Sequence, residues 1–524
     1  MQQEFDAIIV GAGVNSLACA VELGAKGWRV GVFEQAGIAG GAVKTLELTE
    51  PGFRHDWAAM NLSMFAGSGF FKAHGEDLVK CGLEFAPAAN CFASVFENGK
   101  WLGVSTGPGE TRARIAGFSE ADARAWDRLC TTFPEKAEYI FALLGNPMQM
   151  HIQGRLLAKA LFRKGFAWTA ELTRLLLSSP RRFLTESFES EEVRATLGAW
   201  GMHLDCAPDI AGGAVFPYLE SMANQAFGMV IGKGGADTVT RALSKRIEQL
   251  GGEIHCGQSV ASVIREGGKA TGVELADGTR IKARKAVIAN VAPSGLMKLL
   301  GGASGDAGFD GKMKAFSHAP GTMMIHLALD GLPDWRASED LKSFAYVHIA
   351  PSLDQMARTY QQAVAGLLPD EPVLVVGQPT AVDPSRAPAG KHVLWVQVRM
   401  APAEIRGDAA GEIAGTDWQE VKEAYADRAI AMIERHAPGL KAKILGRKVV
   451  SPLDLEADNP NLVGGDQVAG SHHLSQNFLF RPALGHASGK TPVEGLHITG
   501  ASVWPGAGTG VGAGYMLARK LGGR

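Results

Sequence analysis

Net charge is nearly absent from this 524-residue chain, in which 52 basic residues stand against 54 acidic ones. That balance excludes a chain kept disordered by self-repulsion and leaves too little positive charge to attract nucleic acid. Cysteine is scarce and scattered. Cys19, Cys81, Cys91, Cys130, Cys206 and Cys256 contain no C-x-x-C pair, so neither a disulfide framework nor a metal site is expected, and a reducing, cytoplasmic compartment fits. The start, Met1-Gln2-Gln3-Glu4-Phe5-Asp6, lacks the basic region of a signal peptide, and no apolar run reaches the ~18 residues of a spanning helix. Proline is ordinary at 24 residues, and no short-period repeat occurs, which excludes collagen-like and low-complexity chains. Glycine is the one excess, at 66 residues. Without a period it points to tight turns and to places where backbone approaches a ligand closely. The length implies two or three domains at the usual ~100–200 residues each.

The first forty residues carry the clearest chemistry. Ala7-Ile8-Ile9-Val10 is a short apolar run that predicts a buried strand, followed by Gly11-Ala12-Gly13-Val14-Asn15-Ser16 and a helical pattern through Leu17, Ala20, Val21 and Leu23 to Gly27. A second strand spans 30–33, and Glu34 stands at its end. This is a β-α-β unit with a dinucleotide fingerprint. Gly11 makes the turn, Gly13 admits a pyrophosphate, and the helix start presents its free N–H groups to the phosphates. Glu34, about 20 residues on, is placed to accept hydrogen bonds from a ribose diol. The third small position is Ser16 in place of glycine, which crowds the helix against the strand slightly.

A second glycine loop, Gly37-Ile38-Ala39-Gly40-Gly41-Ala42, follows Glu34 and Gln35 directly, and Pro51-Gly52-Phe53-Arg54-His55-Asp56 comes soon after. This order resembles the FAD-dependent oxidoreductases that include amine oxidases, phytoene desaturases and Rab GDP-dissociation inhibitors. In that family the second loop packs around the flavin and its phosphates. Most members carry arginine after the Gly-Gly pair; Ala42 stands there in this chain, so that contact is not carried over. The resemblance calls for a C-terminal flavin segment too. Gly495-Leu496-His497-Ile498-Thr499-Gly500-Ala501 predicts a strand ending in a glycine turn. Trp504-Pro505-Gly506-Ala507-Gly508-Thr509-Gly510-Val511-Gly512-Ala513-Gly514 leads into a last helix over 515–521, as in phytoene desaturase-like proteins, where the helix start faces the flavin pyrimidine. Such a start would stabilise the charge of reduced flavin.

Between these ends, the helix through Val239, Leu243, Ile247 and Leu250 is followed by short strands at 253–256, 259–264, 270–275 and 285–289. The resemblance places the adenine beside Val260. The expected fold class is α/β, a discontinuous Rossmann-like FAD-binding domain (1–75, 225–300 and 455–524) with an inserted α+β substrate domain (76–224 and 301–454) bearing a helical lid. Only one complete fingerprint is present, so no second nucleotide domain is expected.

The expected cofactor is FAD, held by Gly11, Gly13, Val14, Asn15, Ser16, Glu34, Gln35, Gly40, Gly41, Ala42, Val260, Gly500, Ala501, Gly508, Gly510 and Val511. Catalytic groups are harder to choose. His473 and Arg481 lie upstream of the last strand with His472 and His486, and Trp504 occupies the place where phytoene desaturases carry histidine, which predicts an aromatic wall beside the flavin. His203 and Asp205 are further candidates. Residues 151–182 hold seven basic residues (Arg155, Lys159, Arg163, Lys164, Arg174, Arg181, Arg182) against Glu171, interleaved with leucine and phenylalanine. That pattern suits either a lid helix with a solvated basic face or a peripheral membrane contact. The resemblance implies an oxidoreductase taking hydride from a C–H bond of an apolar or partly apolar small molecule. Amine oxidation, polyene isomerisation and a non-catalytic inhibitor-like role are the alternatives, and the oligomeric state stays open.

Overall fold

The computed structural model describes residues 4–523. β1 (Glu4–Val10) pairs in parallel with β2 (Val30–Glu34), and α1 (Val14–Ala25) crosses between them. The apolar run of β1 is buried on both faces, as a strand covered by helices must be. On the far side of β1 lies the long strand Arg280–Ala289, and beyond β2 lies Glu253–Cys256, both parallel. Arg280–Ala289 serves two neighbours. Its first half pairs antiparallel with Lys269–Leu275, which pairs with Val260–Glu266, while its last three residues run parallel to Leu496–Ile498. Seven strands from the two ends and the middle of the chain thus share one sheet. The expected strands extend by a few residues, most at 280–284, where Arg280, Lys282, Arg284 and Lys285 mask the strand as a polar run.

The last helix, Gly512–Leu521, packs directly on α1. A methyl group on Gly514 would lie 1.9 Å from the Asn15 carbonyl oxygen, so glycine is what permits this approach.

A second seven-stranded sheet has the order Ile444–Val450, Gly321–Leu329, His392–Ala401, Val373–Gly377, Tyr346–Ile349, Asn90–Val95, Trp101–Ser105. Its inner strands are buried on both faces, whereas the edge strand Ile444–Val450 is largely exposed. In Gly321–Leu329, Met323, Ile325, Leu327 and Leu329 pack toward Trp418, Tyr425 and Ile430 on helix Trp418–His436, while Met324 joins the opposite core with Phe92, Trp200 and Trp395. This is the period-two alternation of a strand with helices on each side. Residues 150–187 form three short helices, Met150–Lys164, Phe166–Leu177 and Pro180–Ser187, in place of one lid helix, with Gly165 at φ +83° making the first break.

Candidate active site

The glycine fingerprint builds one wall of a long cleft. Gly11, at φ +85°, turns the chain out of β1, and its N–H donates to the Phe33 carbonyl at 2.7 Å. Gly13 then starts α1 with no side chain capping it, so the first-turn N–H groups are left for a ligand. Glu34 ends β2 with its carboxylate buried, accepting from the backbone N–H of Ala12 at 2.6 Å and of Ala36 at 2.9 Å. The second loop lies against the first. The Gly40 N–H donates to the Ala12 carbonyl at 2.9 Å, and a Cβ on Gly41 would come within 3.3 Å of the Gly13 Cα.

The segment that follows this loop is anchored at Asp56 by the fully buried Arg386. It pairs with Asp56 and donates to the Gly232 carbonyl at 2.6 Å, while Asp56 also accepts from Thr45 at 2.7 Å and from the Ala236 N–H at 2.8 Å. Burial and the Arg386 charge pull the neighbouring His55 down to about 4, so it is neutral.

The cleft encloses about 1100 Å³ including its open mouth. Gly11, Gly13, Val14, Asn15, Glu34 and Gln35 line one end, Gly40, Gly41 and Ala42 the side, and Ala501, Ser502, Gly508 and Thr509 the other end. Its donors fit an elongated dinucleotide: bare N–H groups for phosphate, a carboxylate for a diol, and two glycine loops that admit backbone contact. Ser16, Val260, Gly500, Gly510, Val511, His473 and Arg481 do not line it. Ser16 lies one layer behind, accepting from Asn290 Nδ2 at 2.8 Å. Val260 opens an edge strand, just after Gln258 and Gly257 donate to the carbonyls of Glu34 and Ala36. Val511, at φ +52°, directly precedes the last helix, whose start has no side-chain cap.

Asn290 escaped the sequence reading although it directly follows the strand expected at 285–289. It is a hub: an added Cβ on Gly11, Gly13 or Gly500 would meet Asn290 atoms at 3.1, 3.1 and 2.0 Å. Its position, at the carboxyl end of a parallel strand beside β1, is where such sheets bind ligands. Lys44 and Asp458 were missed too. They pair at 2.6 Å inside the cleft wall, with the Lys44 ammonium 5.2 Å from the Trp57 ring centroid. Nothing local links two residues so far apart in sequence.

The structure places Trp504 away from the cleft. Its indole packs with Met148, Ala487 and Phe478, its Nε1–H donates to the Asn146 carbonyl at 3.0 Å, and it borders a separate small cavity rather than the cleft. Turn chemistry gave no information on which side this ring faces. Arg481 is structural as well. It is fully buried and donates to the carbonyls of Val468, Ala469, Gly470, Ser471 and Ala501 at 2.7–3.3 Å, and burial lowers it to about 10.

His473 and Asp205, by contrast, come together at 3.1 Å. Asp205 is buried and also accepts from the Tyr360 hydroxyl at 2.9 Å and from the Ser471 hydroxyl. The hydrogen bond to Asp205 raises the His473 imidazole above its ordinary range. Burial and Arg481 hold His472 well below it, leaving a neutral ring that accepts from the Ala507 N–H at 3.3 Å. His203 stands apart from that pair, 3.0 Å from His348, and His486 contacts the Lys490 carbonyl at 2.8 Å. Among the described residues no three His, Cys, Asp or Glu side chains are arranged to hold a metal, and no helix is long and apolar enough to cross a membrane.

The comparisons with known proteins agree with this geometry. The family described as flavin-containing amine oxidoreductase matches residues 17–428. Pyridine nucleotide-disulfide oxidoreductase domain-containing protein 2 of Rattus norvegicus is 25% identical over 99% of this chain and 94% of its own length. Phytoene dehydrogenase of Streptomyces griseus is 27% identical over 91% of this chain and 87% of its own. A putrescine oxidase structure shares the fold at TM-score 0.63 and 16% identity, covering 99% of this chain and 98% of the other. With its two glycine loops, its buried Glu34 and the turn at Gly508 and Thr509 gathered around one cleft, the chain belongs to the flavin-containing amine oxidoreductase family and is an FAD-dependent oxidoreductase.

Proposed function

We propose that this chain dehydrogenates an apolar or partly apolar small molecule, forming a double bond, with FAD supplying the hydride acceptor at its N5. The observation that carries this reading is the interior next to the cleft. Ala59 lines the cleft, and the adjoining Met60 is buried against Gly377 and Trp395, with Tyr346 stacked on Trp395 at 5.8 Å. Trp200 lies edge-on to Tyr346 at 6.2 Å. These side chains are packed in the core beyond Ala59 and give the cleft an apolar backing, which in this reading keeps water from the reacting bond. Near it, helix Val215–Phe227 carries Glu220, which burial raises to about 7. A carboxyl of that strength holds and releases a proton at neutral pH, and Glu220 is the group this proposal would test for the second proton of the dehydrogenation.

In this reading Gly11, Gly13, Val14 and Asn15 bind the pyrophosphate, Glu34 the ribose, and Gly508 to Gly512 the pyrimidine end. In the same reading the segments near 1–75, 225–300 and 455–524 form the FAD-binding domain and the remainder the substrate domain.

The test is the visible spectrum of the purified holoprotein under anaerobic titration. Bleaching by a terpenoid hydrocarbon but not by primary amines is expected. Bleaching by amines alone would mark an amine oxidase, and persistent yellow colour with rearranged double bonds an isomerase. Colourless protein that cannot be reconstituted with FAD would sink the oxidoreductase reading altogether.

A further inference from the structure

Helices Met150–Lys164 and Phe166–Leu177 form a hairpin with a fixed root and a free tip. At the root, Gln153 Nε2 donates to the Pro147 carbonyl at 3.0 Å, and Trp504 holds Asn146. One side is packed, with Ala160 and Leu172 in the main core. At the tip Phe162 is 91% exposed and Phe166 80% exposed. Met150, Leu157 and Leu161 continue this surface along one helix face, at spacings of seven and four, and all three are exposed. Leu157, Leu161, Phe166 and Leu177 line a groove of about 1400 Å³ including its open side. Each such side chain gains by leaving water, so a contiguous set left exposed marks an interaction surface.

Charge identifies the partner. From Tyr139 to Ala170 the sequence contains no acidic residue. Of the seven basic residues in 151–182, five are already engaged: Lys159 with Glu138, Lys164 with Glu135, Arg174 and Arg182 with Glu186, and Arg181 with Asp209. Arg155 and Arg163 are exposed and make no ion pair with any described residue, so they flank the apolar stripe as free cations. An apolar ridge edged by unpaired arginine complements the acyl region and phosphates of a lipid surface.

We infer that this hairpin docks on a phospholipid bilayer, with Phe162, Phe166, Leu157 and Leu161 at the acyl boundary and Arg155 and Arg163 at the phosphates. Because acids from neighbouring helices neutralise most of the basic segment, apolar insertion carries the docking. Anionic lipid adds an increment through two arginines only. Delivery of an apolar substrate from the bilayer rests on the function proposed above; the docking itself does not.

The experiment is flotation of the holoprotein with phosphatidylcholine vesicles and with mixed phosphatidylcholine–phosphatidylglycerol vesicles, each at low and high salt. The wild-type chain should float with both, about tenfold more strongly with the anionic mixture at low salt, and high salt should remove only that increment. The double variant Phe162→Glu, Phe166→Glu should lose at least tenfold on both vesicle types with unchanged melting and flavin content. The pair Arg155→Gln, Arg163→Gln should lose only the anionic increment. Absence of wild-type flotation, or undiminished flotation of the glutamate variant, overturns the inference. So does a vesicle-free dimer that Phe162→Glu converts to monomer, since a second copy would then cover the tip. Flavin content, read in the same samples, separates a failure here from a failure of the oxidoreductase reading.

Discussion

The flavin cleft and the Met150–Leu177 hairpin distribute polar and apolar groups in opposite ways. In and around the cleft, charge is buried and each ion is met by several partners: Arg481 by five carbonyls, Asp56 by Arg386, Thr45 and the Ala236 N–H, and Glu34 by two backbone N–H groups. In the hairpin the large apolar side chains stand in water and the ion pairs are exposed. A buried ion that loses its partners costs far more than an exposed pair, whose median contribution is near 0–1 kcal/mol. The cleft is therefore held rigidly by polar groups that tolerate no vacancy, whereas the hairpin is free to vary in stability terms and is constrained only by what it touches.

The largest expected effect tests that rigidity. Arg481→Met removes the cation but leaves its carbonyls buried, and each unsatisfied group costs about 1–3 kcal/mol, so a total loss of about 3 kcal/mol or more is expected. Chemical denaturation measures it; a loss below about 1 kcal/mol would show that water enters and the cage is not closed. Next comes Glu34→Ala, expected to weaken FAD binding by about 1.5–3 kcal/mol, which is roughly ten- to a hundredfold in dissociation constant. Equal affinity would remove Glu34 from the ribose.

Trp504→Phe is smaller, about 1–2 kcal/mol from the lost hydrogen bond to Asn146 and the thinner packing. Its flavin reduction rate should match that of the wild type. A changed rate with unchanged stability would return the ring to the substrate wall.

The smallest effect concerns His473. Its imidazole is raised by Asp205, so the folded state binds this proton more tightly than the unfolded chain does. That contribution is full below the unfolded value near 6.5 and disappears as pH climbs through the raised folded value. Melting temperature should therefore fall as pH rises above about 6.5, and His473→Gln should flatten that slope. An identical slope in the variant would assign it to another group.

Legibility in the sequence followed locality. β1, α1, β2, Glu34 and both glycine loops were readable because each signal lies within ~40 residues and several glycines answer a backbone requirement, such as Gly11 at φ +85° or Gly40 at φ +131°. The last helix was readable for the same reason, although Gly514 proved to be the packing contact with Asn15. The second sheet was not read. Its strands, such as Gly321–Leu329 and Val373–Gly377, are buried on both faces, so they show continuous apolar runs without the alternation that marks a half-exposed strand.

The sequence by itself thus determined the strand–helix–strand unit, the carboxylate Glu34 at the end of its second strand and the glycine turns that open a cleft, since these depend on φ angles and short spacings. Only the tertiary structure decided which polar groups face the cleft, because those pairs join residues hundreds of positions apart: Lys44 with Asp458, Asp56 with Arg386, Asp205 with His473. It also decided that Trp504 belongs to the core and that the basic hairpin is largely neutralised, through Glu135, Glu138, Glu186 and Asp209 from outside its own stretch. Spacing along a chain fixes local geometry, whereas a charge is neutralised or a ring buried by whatever the fold brings beside it.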